Sequence, residues 1–198
     1  MDGYATRMMK GTVVEGLVAG LTGAAVMTLG EKIEQRFTGR PDSKVPGRTL
    51  QRLLRVCEVS PRWGRVLNVA MHAGQGALMG VLRAAMAHAG LRGPWASAMF
   101  TAVRLTNDQL LENATGVGAP PWTWPRDELA ADVLHKTVYG MATGVVADAL
   151  AARSGPGPGR RHAAVQPGRH HDVGPVGTGW FPSRDPDRQG EVGARGRS

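Results

Sequence analysis

The sequence predicts an all-α, membrane-embedded bundle of about four helices, followed by a disordered basic tail. Three observations predict it: apolar runs of helical length, Gly-x-x-x-Gly pairs inside three of them, and tryptophans at their edges. The expected boundary falls at 153. Residues 1–153 form the helical membrane domain, and 154–198 hold 10 of the 28 glycines and 6 of the 13 prolines. That tail has no sustained apolar periodicity, so it cannot bury enough surface to offset the entropy of ordering it.

The first run, residues 11–30, reads GTVVEGLVAGLTGAAVMTLG and carries one charge, Glu15. Its length suits a bilayer core of about 30 Å. Arg7 and Lys10 precede it as they would a secretory signal, but no small-x-small cleavage site stands before Glu31 and Lys32, so an uncleaved span is expected. The link over 31–65 holds nine Lys and Arg. Within it RTLQRLLRVCE places Leu50, Leu53, Leu54 and Cys57 on one helical face and Arg48, Arg52 and Arg55 off it, the pattern of a short interfacial helix. The basic link favours the cytoplasm by the positive-inside rule. Arg7, Lys10 and the basic tail pull the termini the same way, so the orientation stays open.

The second run, residues 66–82, has no charge and continues through Arg83 into AAMAHAGL. A third helix follows Pro94 as WASAMFTAVRLTNDQLLEN, and a fourth covers about 128–152. Charges interrupt both, and each costs about 2.5 to 3.5 kcal/mol near the centre of an inserted helix. The mean hydropathy of the whole chain, −0.21, is also low for a membrane protein. A soluble or peripheral helical bundle is therefore the rival reading.

Three features favour the membrane. The glycine pairs Gly16 with Gly20, Gly76 with Gly80, and Gly140 with Gly144 each lie on one helix face and allow close backbone approach. Trp63, Trp95, Trp122 and Trp124 stand at segment edges, where an interfacial aromatic belt places them. The ionic residues recur at helical spacing: His72, Gln75, Met79 and Arg83; Arg104, Asp108 and Glu112; Asp132, Lys136 and Tyr139, with His135 beside them.

Arg83, Arg104, Asp108, Glu112, Asp132, His135 and Lys136 are the candidate interior residues, with Arg83 or Arg104 expected to pair with Asp108 or Asp132. Such pairs either lock helices together or line a site, and no spacing here specifies a substrate. The chain has no Gly-x-Ser-x-Gly elbow, no phosphate-cradling Gly-x-x-x-x-Gly-Lys loop and no His-Glu-x-x-His. His72, His88 and His135 with Met71, Met79, Met86 and Met141 raise haem or copper ligation, but nothing fixes two of them on one centre. No catalytic residue, metal or cofactor is expected, and the lone Cys57 forms no intramolecular disulfide. The prolines of GAPPWTWPRDE, 118–128, forbid regular helix and mark a rigid connector, with Pro125 opening the next helix and Asp127 and Glu128 favouring its N-terminus.

The formal charge of +8 divides evenly, +4 from residues 1–150 (16 basic, 12 acidic) and +4 from 151–198 (8 basic, 4 acidic). Both nucleic acid and anionic lipid attract such charge. The lipid bilayer is the expected partner, with a homo-oligomer or larger membrane assembly beside it and nucleic acid less favoured.

Through FTGRPDSKVPGRTLQRLL (37–54), LRGPWASAMFTAVRLTNDQLLENATGVGAPPWTWPRDE (91–128) and LHKTVYG (134–140), the chain resembles a group of uncharacterised small bacterial integral membrane proteins. More loosely, it is similar to YagU-like inner-membrane proteins. The likeness spans 11–152 and implies a multi-pass inner-membrane location, with no catalytic residue. The expectation is a non-enzymatic membrane protein, an accessory component or a small permeation path. The alternatives are a peripheral bundle binding anionic lipid or nucleic acid, and a membrane enzyme acting on a lipid-like substrate near Arg104 and Asp108.

Overall fold

The computed structural model describes residues 2–57 and 59–158, and the tail expected to be disordered lies, from residue 159 onward, outside them. Five α-helices make up the described fold: α1 (Asp2–Thr38), α2 (Val45–Leu54), α3 (Pro61–Ala89), α4 (Pro94–Ala114) and α5 (Arg126–Ala152). A single 3-10 turn, Pro121–Thr123, interrupts the proline-rich connector, and no strand occurs among the described residues.

Local chemistry sets the helix ends. α1 runs past the apolar stretch because Glu31, Glu34, Gln35 and Thr38 bond to one another at four-residue spacing. It stops at Gly39, whose N–H returns to the Gln35 carbonyl. Pro61 and Pro94 stand in the first turns of α3 and α4, where the missing N–H costs nothing. α3 ends at Gly90, φ 105°, with the Leu91 N–H bonded back to the Met86 carbonyl, a closure that favours glycine.

α1, α3, α4 and α5 alternate up and down. Glu15 of α1 meets His88 near the far end of α3, at 2.7 Å, and Ser97 near the start of α4 faces Gly144 late in α5. One end of the bundle therefore gathers the start of α1, the Leu91–Gly93 turn and the end of α5. The other carries α2, held across the start of α3 by the Gly47 N–H, which donates to Asn68 Oδ1 at 2.8 Å.

The helices touch through small residues. A Cβ on Gly20 would overlap the Gly76 carbonyl oxygen, and one on Gly80 would overlap that of Gly16, so α1 and α3 run with their backbones in contact. Gly140 receives Thr101 and Gly144 receives Ser97, which joins α5 to α4, while Gly23 of α1 receives Thr143 of α5. Alanines 19, 87, 147 and 151 form one buried cluster, and Ala24, Met27, Phe100 and Tyr139 another.

The distribution of polarity reverses the usual one. Arg83, Arg104, Asp108, Lys136 and Asp148 are buried, while Val14, Val18, Leu21, Leu29, Val69, Leu78 and Leu110 are exposed. Over 11–30, 66–89, 94–114 and 130–152, no exposed residue is Asp, Glu, Lys or Arg. At about 1.5 Å per residue these stretches are about 30 to 36 Å long. Exposed charge resumes outside them, at Lys10 and Arg153 on one end and at Lys32, Arg36, Arg65 and Arg126 on the other. Of the tryptophans, Trp95 is 74% exposed at one edge of this band, and Trp63 and Trp122 are exposed at the other.

Candidate functional site

A cleft of about 550 Å³ opens at the α2 end. α1 supplies Met27 and Glu31, the α1–α2 connection Arg40 to Ser43, α3 His72 and Gln75, α4 Arg104, Asp108 and Glu112, and α5 Asp132, His135 and Lys136. The proline connector adds Thr123 to Pro125 to the wall. Helical periodicity explains the convergence, because residues three or four apart on each inward face come into one stack.

At the inner end of the cleft Asp108 organises the charges. It accepts hydrogen bonds from Gln75 Nε2 at 2.5 Å and from Arg104 Nε at 3.1 Å, and Lys136 Nζ lies 3.2 Å from its Oδ2. Lys136 also bonds to Asp132 one turn earlier on α5, and Arg104 Nη2 donates to Gln75 Oε1 at 3.3 Å. Two cations thus meet two carboxylates, which lowers the cost of taking each out of water. Arg104 additionally stacks over the Tyr139 ring, 5.0 Å from its centre. Its Nη1 is buried and bonds to nothing among the described residues.

Glu112 stands half-buried higher in the cleft. Its side chain accepts no hydrogen bond among the described residues, which sets it apart from Asp108 four residues before it. His135 is buried with its Nε2 3.9 Å from Glu34 Oε2, beyond hydrogen-bonding distance. At the rim Arg40 pairs with Glu34 at 3.0 Å and Glu31 at 3.7 Å, and Lys32 pairs with Asp42. The Lys32 hydrogen bond holds the Asp42 carboxyl below its ordinary range, and the Glu34 hydrogen bond holds the Arg40 guanidinium above its own.

Of the sequence-derived candidates, Arg104, Asp108, Glu112, Asp132, His135 and Lys136 all line this cleft. Arg83 does not. It lies fully buried in the other half of the bundle, where Nη2 meets Asp148 Oδ1 at 2.8 Å and Ser97 Oγ at 3.3 Å. Asp148 was not singled out by sequence reasoning, and its Oδ2 accepts the Gly93 N–H at 2.7 Å. Gly93 holds φ 93° and ψ −175°, a backbone state that suits glycine alone, and its place in the LRGPW turn was the available signal. Arg92 completes that end by donating to the carbonyls of Ala87, Ala151 and Gly155, so one guanidinium ties the ends of α3 and α5 together. Arg40, Glu31 and Asp42 in the cleft rim were likewise missed, because the link between α1 and α2 reads only as basic and polar.

Between the cleft and the Arg83–Asp148 pair the interior is packed. Phe100 and Tyr139 are fully buried with ring centres 5.8 Å apart, and the Tyr139 hydroxyl donates to the Gly76 carbonyl at 2.7 Å. Glu112 and His72 line the cleft and are able to exchange hydrogen bonds with a small polar molecule. No group of three His, Cys, Asp or Glu among the described residues is placed to hold a metal ion. The chain matches no protein-family model, no curated protein and no solved structure.

Proposed function

We propose that this chain is a multi-pass integral membrane protein of four spans, α1, α3, α4 and α5, whose charged cleft binds a small polar or ionic solute at one membrane face. One observation carries the reading: the band, about 30 to 36 Å tall, in which no exposed side chain among the described residues is charged. Whole-sequence hydropathy averages both faces of a helix, but lipid meets only the outer face. By length and composition only Met9–Thr38 among the described residues is apolar enough to cross a membrane. Arg83, Arg104, Asp108, Lys136 and Asp148, which lower the hydropathy of α3, α4 and α5, are buried. Exposed apolar surface of this extent is rare on soluble monomers. The packed Phe100–Tyr139 layer favours a binding cleft over an open permeation path.

Cysteine accessibility tests this. With Cys57→Ser as background, Glu112→Cys in the cleft should react with a membrane-impermeant maleimide. Leu78→Cys should not, although Leu78 is 71% exposed, because lipid would shield it. Equal labelling of both in native membranes, with release of the chain by carbonate, would reject the spanning bundle in favour of a peripheral one.

A further inference from the structure

We infer that the corner formed by α2 and the start of α3 is a binding site for anionic phospholipid headgroups, which anchors the cleft-bearing end of the bundle to a negatively charged leaflet. Arg48, Arg52, Arg55, Arg62 and Arg65 are all exposed there, and none of them forms an ion pair with a described carboxylate. The sequence places a single acid, Glu58, between Asp42 and Asp108, so the positive charge has little local compensation. Beside the arginines, Leu53 and Leu54 are 50% and 57% exposed, and Val56 and Trp63 are exposed as well. This apolar edge continues into the uncharged band through Val66 and Val69 on α3.

Planar guanidinium groups match phosphate oxygens in pairs, and leucines beside them reach the acyl boundary. Nucleic acid would use the arginines but would leave Leu53, Leu54 and Trp63 in water, which favours lipid. The inference adds a headgroup class to the proposed membrane reading and is separable from it, since an amphipathic corner also binds a surface without spanning.

The test uses the full chain in detergent, titrated with short-chain phosphatidylglycerol or phosphatidylcholine while the thermal midpoint is followed. Phosphatidylglycerol should bind at least about tenfold more tightly in low salt, since each surface arginine adds about fivefold, and the preference should shrink as salt is raised. An Arg52→Gln, Arg55→Gln, Arg62→Gln variant should lose the preference while keeping the midpoint measured without lipid. A Leu53→Ser, Leu54→Ser variant should weaken both lipids together. Equal affinity of the wild type for the two lipids, an undiminished preference in the triple variant, or tighter binding to a DNA duplex than to phosphatidylglycerol would overturn the site. If carbonate releases the chain but the preference persists on phosphatidylglycerol vesicles, the spanning reading fails and this site stands.

Discussion

Arg83 and Asp148 meet at 2.8 Å with both side chains sealed from solvent, joining α3 to α5 in the half of the bundle that the cleft does not reach. Ser97, the Leu91 carbonyl and the Gly93 N–H add further contacts to the pair. A pair so enclosed stabilises little against an apolar replacement, but each partner is costly alone.

Asp148→Ala should therefore lower stability by about 3 to 5 kcal/mol, because it strands a buried guanidinium. A double Arg83→Met, Asp148→Leu variant should recover most of that loss. Thermal unfolding of the purified chain in detergent measures both. A single variant as stable as wild type would mean the pair contributes nothing.

The glycine seam makes a position-specific prediction. Gly20→Val and Gly80→Val force side-chain atoms into the opposing backbone and should separate α1 from α3, at a cost of several kcal/mol or loss of folding. Gly74→Ala, where the added methyl meets open space, should be neutral or stabilising by up to about 1 kcal/mol.

Tyr139 joins the two halves of the interior. Tyr139→Phe removes the hydroxyl bonded to the Gly76 carbonyl and should cost about 0.5 to 1.5 kcal/mol, while keeping the ring beneath Arg104. Tyr139→Ala should cost about 3 to 5 kcal/mol through the cavity it leaves. A Phe variant as damaging as the Ala variant would place the role in the hydroxyl instead of the ring.

Acid should loosen the cleft rim first. The folded-state carboxyl of Asp42 titrates below its ordinary value, so the stabilisation it lends to the α1–α2 connection is complete above the unfolded value near 3.8 and is lost as pH falls through the lower folded one. Hydrogen exchange over residues 39–44 should be faster in Asp42→Asn than in wild type at neutral pH. The difference should vanish once the pH falls below the lowered folded-state value. No difference at neutral pH would show that the exposed Lys32–Asp42 pair orders nothing.

Much of this was legible in the residues and some was not, for physical reasons. Apolar runs and flanking prolines locate the helices, and the four-residue spacing of Arg104 and Asp108 makes their pairing local. Lys136 with Asp132 follows the same rule. Arg83 defeats such reasoning, because its partner lies on another helix and nothing in Asp148's own surroundings marks it among the other acids. The cleft was half legible: its walls come from helical stripes, whereas Arg40 and Asp42 enter only because Gly39 turns the chain back over the bundle. Ser97, Thr101 and Thr143 as packing partners for glycine are also invisible singly, since a small polar residue means little until the facing backbone is known.

Synthesis order gives the buried arginine a further meaning. A ribosome finishes α3, with its cation, well before it makes the carboxylate on α5. In a bilayer that helix would have to wait beside the insertion machinery or tilt Arg83 toward the headgroups until the last segment arrives. Nascent chains halted before residue 148 would then carry an uncompensated charge on α3 until the final helix is complete.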